Sequence, residues 1–130
     1  MPRSVLIVDD SAVMRHALSR LFSTTGDFAI CGEASNGSQA IVLVGKLHPE
    51  LIVLDLCMPG LNGLETARRL SSMGHHLPII LYSMNADEIV EKEAEACGVT
   101  AVVSKAEGIK TLIAKANGIL EDDERNHGVA

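Results

Sequence analysis

Short apolar runs recur along the chain at Val5–Val8, Leu51–Leu54, Ile79–Tyr82 and Ala101–Val103, with a weaker one at Phe28–Cys31. None alternates cleanly between apolar and polar positions. Continuous runs of this length predict strands buried on both faces, the pattern of a parallel sheet covered by helices. Between the runs, apolar residues take up helical spacing. In the first such stretch Val13, Leu18, Leu21 and Phe22 share a stripe, while Arg15, Ser19 and Arg20 are expected to face water. A second helix, Ala40 to Leu47, follows "SNGS", an Asn-Gly turn in which Ser38 suits the start of a helix. A third runs from Leu64 to Met73 with Gly74 as its stop, and a fourth from Asp87 to Cys97, closed by Gly98. In the last, Ile109, Leu112, Ile113, Ala116 and Leu120 recur at steps of three and four. The order is strand then helix, five times over. Right-handed crossovers between parallel strands place helices on both sides, so the predicted fold class is α/β, a doubly wound five-stranded parallel sheet with five helices. Residues 1–121 form one domain in this reading, and the polar residues 122–130 are a C-terminal tail or the start of a linker.

Composition narrows the picture. At 130 residues and 47% hydrophobic content, the chain suits one core that buries roughly two-thirds of the surface exposed on unfolding. No apolar stretch approaches the ~18 residues a membrane span needs, and no secretory h-region opens the chain, so a cytoplasmic protein without membrane contact is expected. Cys31, Cys57 and Cys97 are widely spaced and form neither a CxxC pair nor a zinc-type cluster, which predicts reduced thiols. The five histidines, His75-His76 among them, lack ligand spacing and are expected to be solvated. A net charge of -6, no Trp, one Tyr and two Phe argue against direct nucleic-acid contact. A protein or a cation is the better partner.

The acidic residues stand where such a sheet binds ligands, outside the carboxyl ends of its strands. Asp9 and Asp10 end the first strand and Asp55 ends the third, in "ELIVLDLCMPGLNG". Doubly wound topology brings these strand ends together, and like charges crowded away from water are costly unless a cation compensates. Hard oxygen ligands around a partly open site favour Mg2+. The plainer account is that Asp10 or Ser11 caps the first helix and Asp9 is a solvated neighbour. Asp55 weakens it, because a carboxylate between four apolar residues and a Met-Pro-Gly turn makes neither a good cap nor a good core residue. Ser83 follows "IILY" and Lys105 follows "AVVS". Alone, Ser83 is a loop or capping residue and Lys105 a surface lysine. Together with the three aspartates they supply what a phosphoryl group needs, donors for its oxygens and positive charge for its developing negative charge.

With these residues in view, "VLIVDDSAVMR", "LIVLDLCMPGLNGLE", "IILYS" and "AVVSKA" resemble the receiver domain of two-component response regulators, over about residues 4 to 120. The resemblance implies a flavodoxin-like strand order 2-1-3-4-5. It implies Asp55 as phosphoacceptor from a sensor histidine kinase, and Mg2+ held by Asp10, Asp55 and the backbone carbonyl of Cys57, with Asp9 acting through water. Ser83 would hydrogen-bond the phosphoryl group and Lys105 would pair with it. The output surface would be formed by the fourth helix, last strand and fifth helix, serving a downstream effector, an output domain such as a DNA-binding helix-turn-helix, or a homodimer. Candidate residues there are Ile89, Val90, Val102 and Ile109, all of them also suited to core packing. Two positions depart from the pattern. Val102 stands where the family commonly has an aromatic switch residue, and Ala106 where it commonly has proline after a cis peptide. A cis bond to Ala106 would cost about 3 kcal/mol.

Two other functions compete. A pseudo-receiver would serve only as an interaction or dimerisation module, and Val102 and Ala106 leave it room. A phosphohydrolase or phosphotransferase acting on small molecules would need a second carboxylate two residues after Asp55, where Cys57 stands. A dinucleotide site lacks its glycine fingerprint.

Overall fold

The computed structural model describes residues 2–84 and 86–128, with side-chain surroundings through residue 123. Its elements follow one another as β1 (Arg3–Val8), α1 (Ala12–Thr24), β2 (Phe28–Ala34), α2 (Gly37–Leu47), β3 (Leu51–Leu54), α3 (Gly63–Ser72), β4 (Ile79–Ser83), α4 (Glu88–Ala96), β5 (Ala101–Ser104) and α5 (Ile109–Gly128), with a 3-10 turn at Lys105–Glu107. The strands form one sheet of order β2-β1-β3-β4-β5, every pair parallel. This is the expected doubly wound, flavodoxin-like arrangement.

Because successive side chains leave a strand on opposite faces, each apolar run feeds two cores. Leu6, Val8, Ile52, Leu54 and Leu81 pack with Ala40, Val44, Ala67, Leu70 and Ala94 of α2, α3 and α4. Val5, Ile7, Leu51, Val53, Ile80 and Tyr82 pack with Leu18, Phe22, Leu112 and Ala116 of α1 and α5. Phe22 meets Phe28 edge to face, ring centroids 5.0 Å apart, an arrangement that the ring quadrupoles favour.

Local chemistry sets the helix ends. Asn62 and Glu65 form a reciprocal capping box at α3, and Asp87 caps α4 by accepting from the Val90 N–H. Four expectations need correction. Val13 is 81% exposed; Met14 takes its place against the core, because α1 is rotated to point Leu18 and Phe22 inward. Asn36, not Ser38, caps α2, its side chain accepting from the Gln39 N–H at 2.8 Å, so the helix starts at Gly37 rather than Ala40. Strand β2 runs to Ala34 rather than stopping at Cys31. Its register shifts opposite Val5 and Leu6, and such an irregularity, followed by Gly32 and Glu33, blurs the apolar pattern. Helix α5 continues beyond Leu120 to Gly128, so residues 122–128 of the polar tail are helical backbone, and Val129 and Ala130 lie outside the described residues.

Candidate functional site: an acidic cluster bridged by a lysine

Sheet register brings the first two carboxylates together. Val8 pairs with Leu54, and the Asp55 N–H donates to the Val8 carbonyl at 2.9 Å, so Asp9 and Asp55 leave the sheet side by side. Both are buried, while Asp10 is exposed. One carboxylate oxygen from each of Asp9, Asp10 and Asp55 lies within 4.8 Å of the others. A compact set of hard oxygens with one open side suits a divalent cation that keeps part of its water.

The far strands deliver the cation of the protein itself. Ser83 pairs with Ser104 at the end of β4 and β5, and Lys105 follows directly. Its Nζ stands 3.1 Å from Asp9 Oδ2 and 3.3 Å from Asp55 Oδ1, and 5.9 Å from the centroid of the Tyr82 ring, within cation–π reach. The turn that aims it is built locally. Ser104 Oγ accepts the Ala106 N–H at 3.2 Å, and Glu107 accepts the Ser104 N–H at 3.1 Å. Among the described residues no peptide bond is cis, and Lys105 reaches both carboxylates with a trans bond to Ala106. Ser83 is buried at the same sheet edge.

The three aspartates are held differently. Asp9 accepts the Ser11 N–H on Oδ1 at 2.9 Å and Lys105 on Oδ2 at 3.1 Å, so both its oxygens are engaged. Ser11 in turn caps α1 by accepting the Met14 N–H. The cap is therefore real, and it belongs to Ser11 rather than to Asp10. Burial pushes the Asp55 carboxyl above its ordinary value and the charge of Asp9 adds to that; Lys105 opposes both and does not cancel them. For Lys105, burial alone would depress the ammonium, but Asp55 and Asp9 outweigh it and hold it above its ordinary value. The site is thus a negative cluster only partly balanced by one lysine.

Cys57 is exposed in the loop after β3, and with Asp10, Met58, Pro59, Leu64 and Val90 it lines a cavity of about 560 Å³ beside the cluster. Of the residues singled out from the sequence, Asp9, Asp10, Asp55 and Lys105 converge, Ser83 ends the neighbouring strand, and Cys57 stands in the adjoining wall. Arg15 departs from expectation. Rather than facing water, its side chain is 19% exposed and donates from a guanidinium Nη to the Asp9 carbonyl at 2.6 Å. A signal was present: Arg15 lies at the start of α1, at the positive end of the helix dipole, where a cation is disfavoured unless something nearby attracts it.

Comparison with known proteins agrees with this geometry. Residues 5–117 match the family described as response regulator receiver domain. The chain is 41% identical over 87 residues to the nitrate/nitrite response regulator protein NarL of Escherichia coli (strain K12), an alignment covering 67% of this chain and 40% of NarL. It is 35% identical over 108 residues to the transcriptional regulatory protein YdfI of Bacillus subtilis (strain 168), covering 83% of this chain and 50% of that one. The chain thus spans half or less of the length of these curated relatives. The response regulator domain of Thermotoga maritima CheB superposes with a TM-score of 0.79 at 28% identity, covering 100% of this chain and 99% of the other. Since the family model covers residues 5–117, the chain belongs to the response regulator receiver domain family.

Proposed function

We propose that this receiver accepts a phosphoryl group on Asp55 from a phosphohistidine of a sensor histidine kinase, in a Mg2+-dependent reaction, and that the modified site switches an output surface. The observation that carries the reading is the Lys105 ammonium held 3.1 Å from Asp9 and 3.3 Å from Asp55, beside an Asp10 left open to solvent. An oxygen of Asp55 attacks phosphorus, the P–N bond breaks, and its electron pair stays on the histidine nitrogen of the donor. Lys105 then meets the phosphoryl oxygens, and Ser83 hydrogen-bonds one of them. Asp10, Asp55 and the Cys57 carbonyl would hold Mg2+; bound there, the ion offsets the charge of the carboxylates and of the transferred group. The engagement of both Asp9 oxygens by Ser11 and Lys105 supports a role for Asp9 through water rather than direct ligation.

Residues 1–121 act as the receiver unit, with 122–130 outside it. The message leaves by the face of α4, β5 and α5, through exposed Ile89, with Val90, Val102 and Ile109 as packing contributors. It reaches a downstream effector, a linked output domain of the kind a transcriptional regulator carries, or a second copy of the chain. The switch protein is not otherwise an enzyme in this reading, and it works in the cytoplasm. Among the described residues, no helix is long and apolar enough to cross a membrane.

Radiolabelled acetyl phosphate tests the proposal. Label is expected on the wild-type chain only with Mg2+, and Asp55→Asn should carry none. Label that persists in Asp55→Asn, or that forms equally in EDTA, would overturn the assignment. A wild-type chain that labels but shows no change in partner binding or solution size with beryllofluoride and Mg2+ would favour the pseudo-receiver instead.

A further inference from the structure

We propose that Arg15 is a positioning residue for the acidic pair: a guanidinium clamped between the Asp9 carbonyl and Glu33 holds the turn that presents Asp10, and thereby sets the affinity of the site for a divalent cation. The proposal deepens the phosphoacceptor reading and rests on it.

The arginine sits at an unfavourable place. Its backbone N–H donates to the carbonyl of Ser11, the cap of α1, so its positive side chain starts at the positive end of the helix. Ordering so long a side chain also costs rotamer freedom. Two contacts offset these costs. One Nη donates to the Asp9 carbonyl at 2.6 Å, a short charge-assisted hydrogen bond. Nε stands 3.4 Å from Glu33 Oε1 on β2. A planar guanidinium held at two of its nitrogens is a rigid fork in a way an ammonium is not.

What the fork grips decides its effect. The Asp9 carbonyl belongs to the peptide that joins Asp9 to Asp10. Because that unit is planar, fixing the direction of its carbonyl fixes the plane from which Asp10 departs. The Asp9 carboxylate is anchored separately by Ser11 and Lys105, and the Asp9 N–H donates to Ala34 at 3.1 Å. Amide, carbonyl and carboxylate of Asp9 are thus all held, and Asp10, exposed and without such burial, takes its position from that frame. Glu33 has a second role. Its charge balances that of Arg15, so the clamp orders the acidic edge without adding net positive charge to oppose an incoming cation.

The test uses the full chain. Mg2+ is titrated without phosphodonor, followed by amide shifts in NMR, and labelling of Asp55 by acetyl phosphate is measured across the same Mg2+ range. Arg15→Met/Glu33→Gln removes the clamp at constant net charge and is expected to weaken Mg2+ binding about tenfold, the usual scale for residues that orient metal ligands. The Mg2+ requirement for labelling should shift by the same factor, while the rate at saturating Mg2+ stays within about threefold of wild type. Arg15→Lys, which keeps the charge but not the fork, is expected to weaken binding by a smaller factor, and it decides the matter should the double variant fail to fold. Glu33→Gln alone keeps the Arg15–Asp9 bond but loses the second grip on the fork and leaves its charge unbalanced, so it too is expected to weaken Mg2+ binding, by a smaller factor than the double variant. Unchanged Mg2+ affinity in the double variant and in Arg15→Lys would overturn the proposal, as would a labelling defect that saturating Mg2+ leaves in place. If the wild-type chain itself bound no Mg2+, the phosphoacceptor reading would fall and the clamp with it; Mg2+ binding by wild type with unaltered variants sinks the clamp alone.

Discussion

Asp55 is pulled two ways, and the balance has a measurable sign. Burial and Asp9 raise its carboxyl above the ordinary 3.8, with Lys105 opposing. The folded chain therefore holds this proton more tightly than the unfolded chain, and stability from this group falls as pH rises through the window above 3.8 and up to the raised folded value. Asp55→Asn removes that penalty. In EDTA at pH 7 the variant is expected to melt above wild type. Well below pH 3.8 the difference should vanish, because the wild-type carboxyl is then protonated in both states; parallel thermal scans check this. Lys105 has the opposite sign. Its value is raised above 10.5 in the fold, so its contribution is complete below that pH and is lost only as pH climbs through the raised value. At neutral pH, Lys105→Met should destabilise the chain by about 3 kcal/mol in urea unfolding, since it leaves the buried charge of Asp9 without its ammonium.

At the scale of elements, the start of α3 is built into the site. A Cβ on Gly63 would run into the Asp55 carbonyl and come within 2.8 Å of Leu81 Cδ1 and 2.9 Å of Leu56 Cα. Two of these atoms are backbone that cannot swing aside. Gly63→Ala is expected to cost about 2 kcal/mol by overpacking. It should also slow Asp55 labelling by about tenfold or more, because the push falls on the backbone of Asp55, the proposed phosphoacceptor. Gly45 supplies the contrast. It sits in α2 with nothing within 4 Å of a Cβ, and Gly45→Ala should add about 0.5 to 1 kcal/mol by helix propensity alone, with labelling unchanged. Chemical denaturation of the two variants separates packing from propensity.

At the scale of the molecule, the site lies at one edge of a sheet whose covering helices are unequally secured. Helix α4 buries only Ala94, against Gly63, Thr66, Ala67 and Leu70 for α3. Few buried contacts mean low local stability, and an element of that kind is readily biased by a new charge at the sheet edge. Hydrogen exchange is therefore expected to be fast in α4 and to slow there on adding beryllofluoride with Mg2+, with α2 unchanged. Equal protection in both helices would show that the signal is not confined to the α4 side. On the proposed Mg2+ site, the ion alone is expected to stabilise the chain by mass action, by about 2.7 kcal/mol at a hundredfold excess over its Kd.

The strand runs, the alternation with helices, the stops at Gly74 and Gly98, and the placing of Asp9, Asp10, Asp55, Ser83 and Lys105 at strand ends were all legible in the chain. Each is set by neighbours in sequence: a run buried on both faces, or a polar residue closing it. Other features answer to residues far away in sequence. Whether Val13 or Met14 faces the core depends on how α1 rolls against β1 and β2. The length of β2 depends on an irregularity seen only when it pairs with β1. The inward turn of Arg15 depends on the Asp9 carbonyl and on Glu33, eighteen residues further along. The reach of Lys105 depends on Asp9, ninety-six residues away. Local pattern determined which groups arrive at the sheet edge; only the packed structure decided which carboxylate each cation holds, because that balance of burial and charge exists only once distant strands have closed on one another.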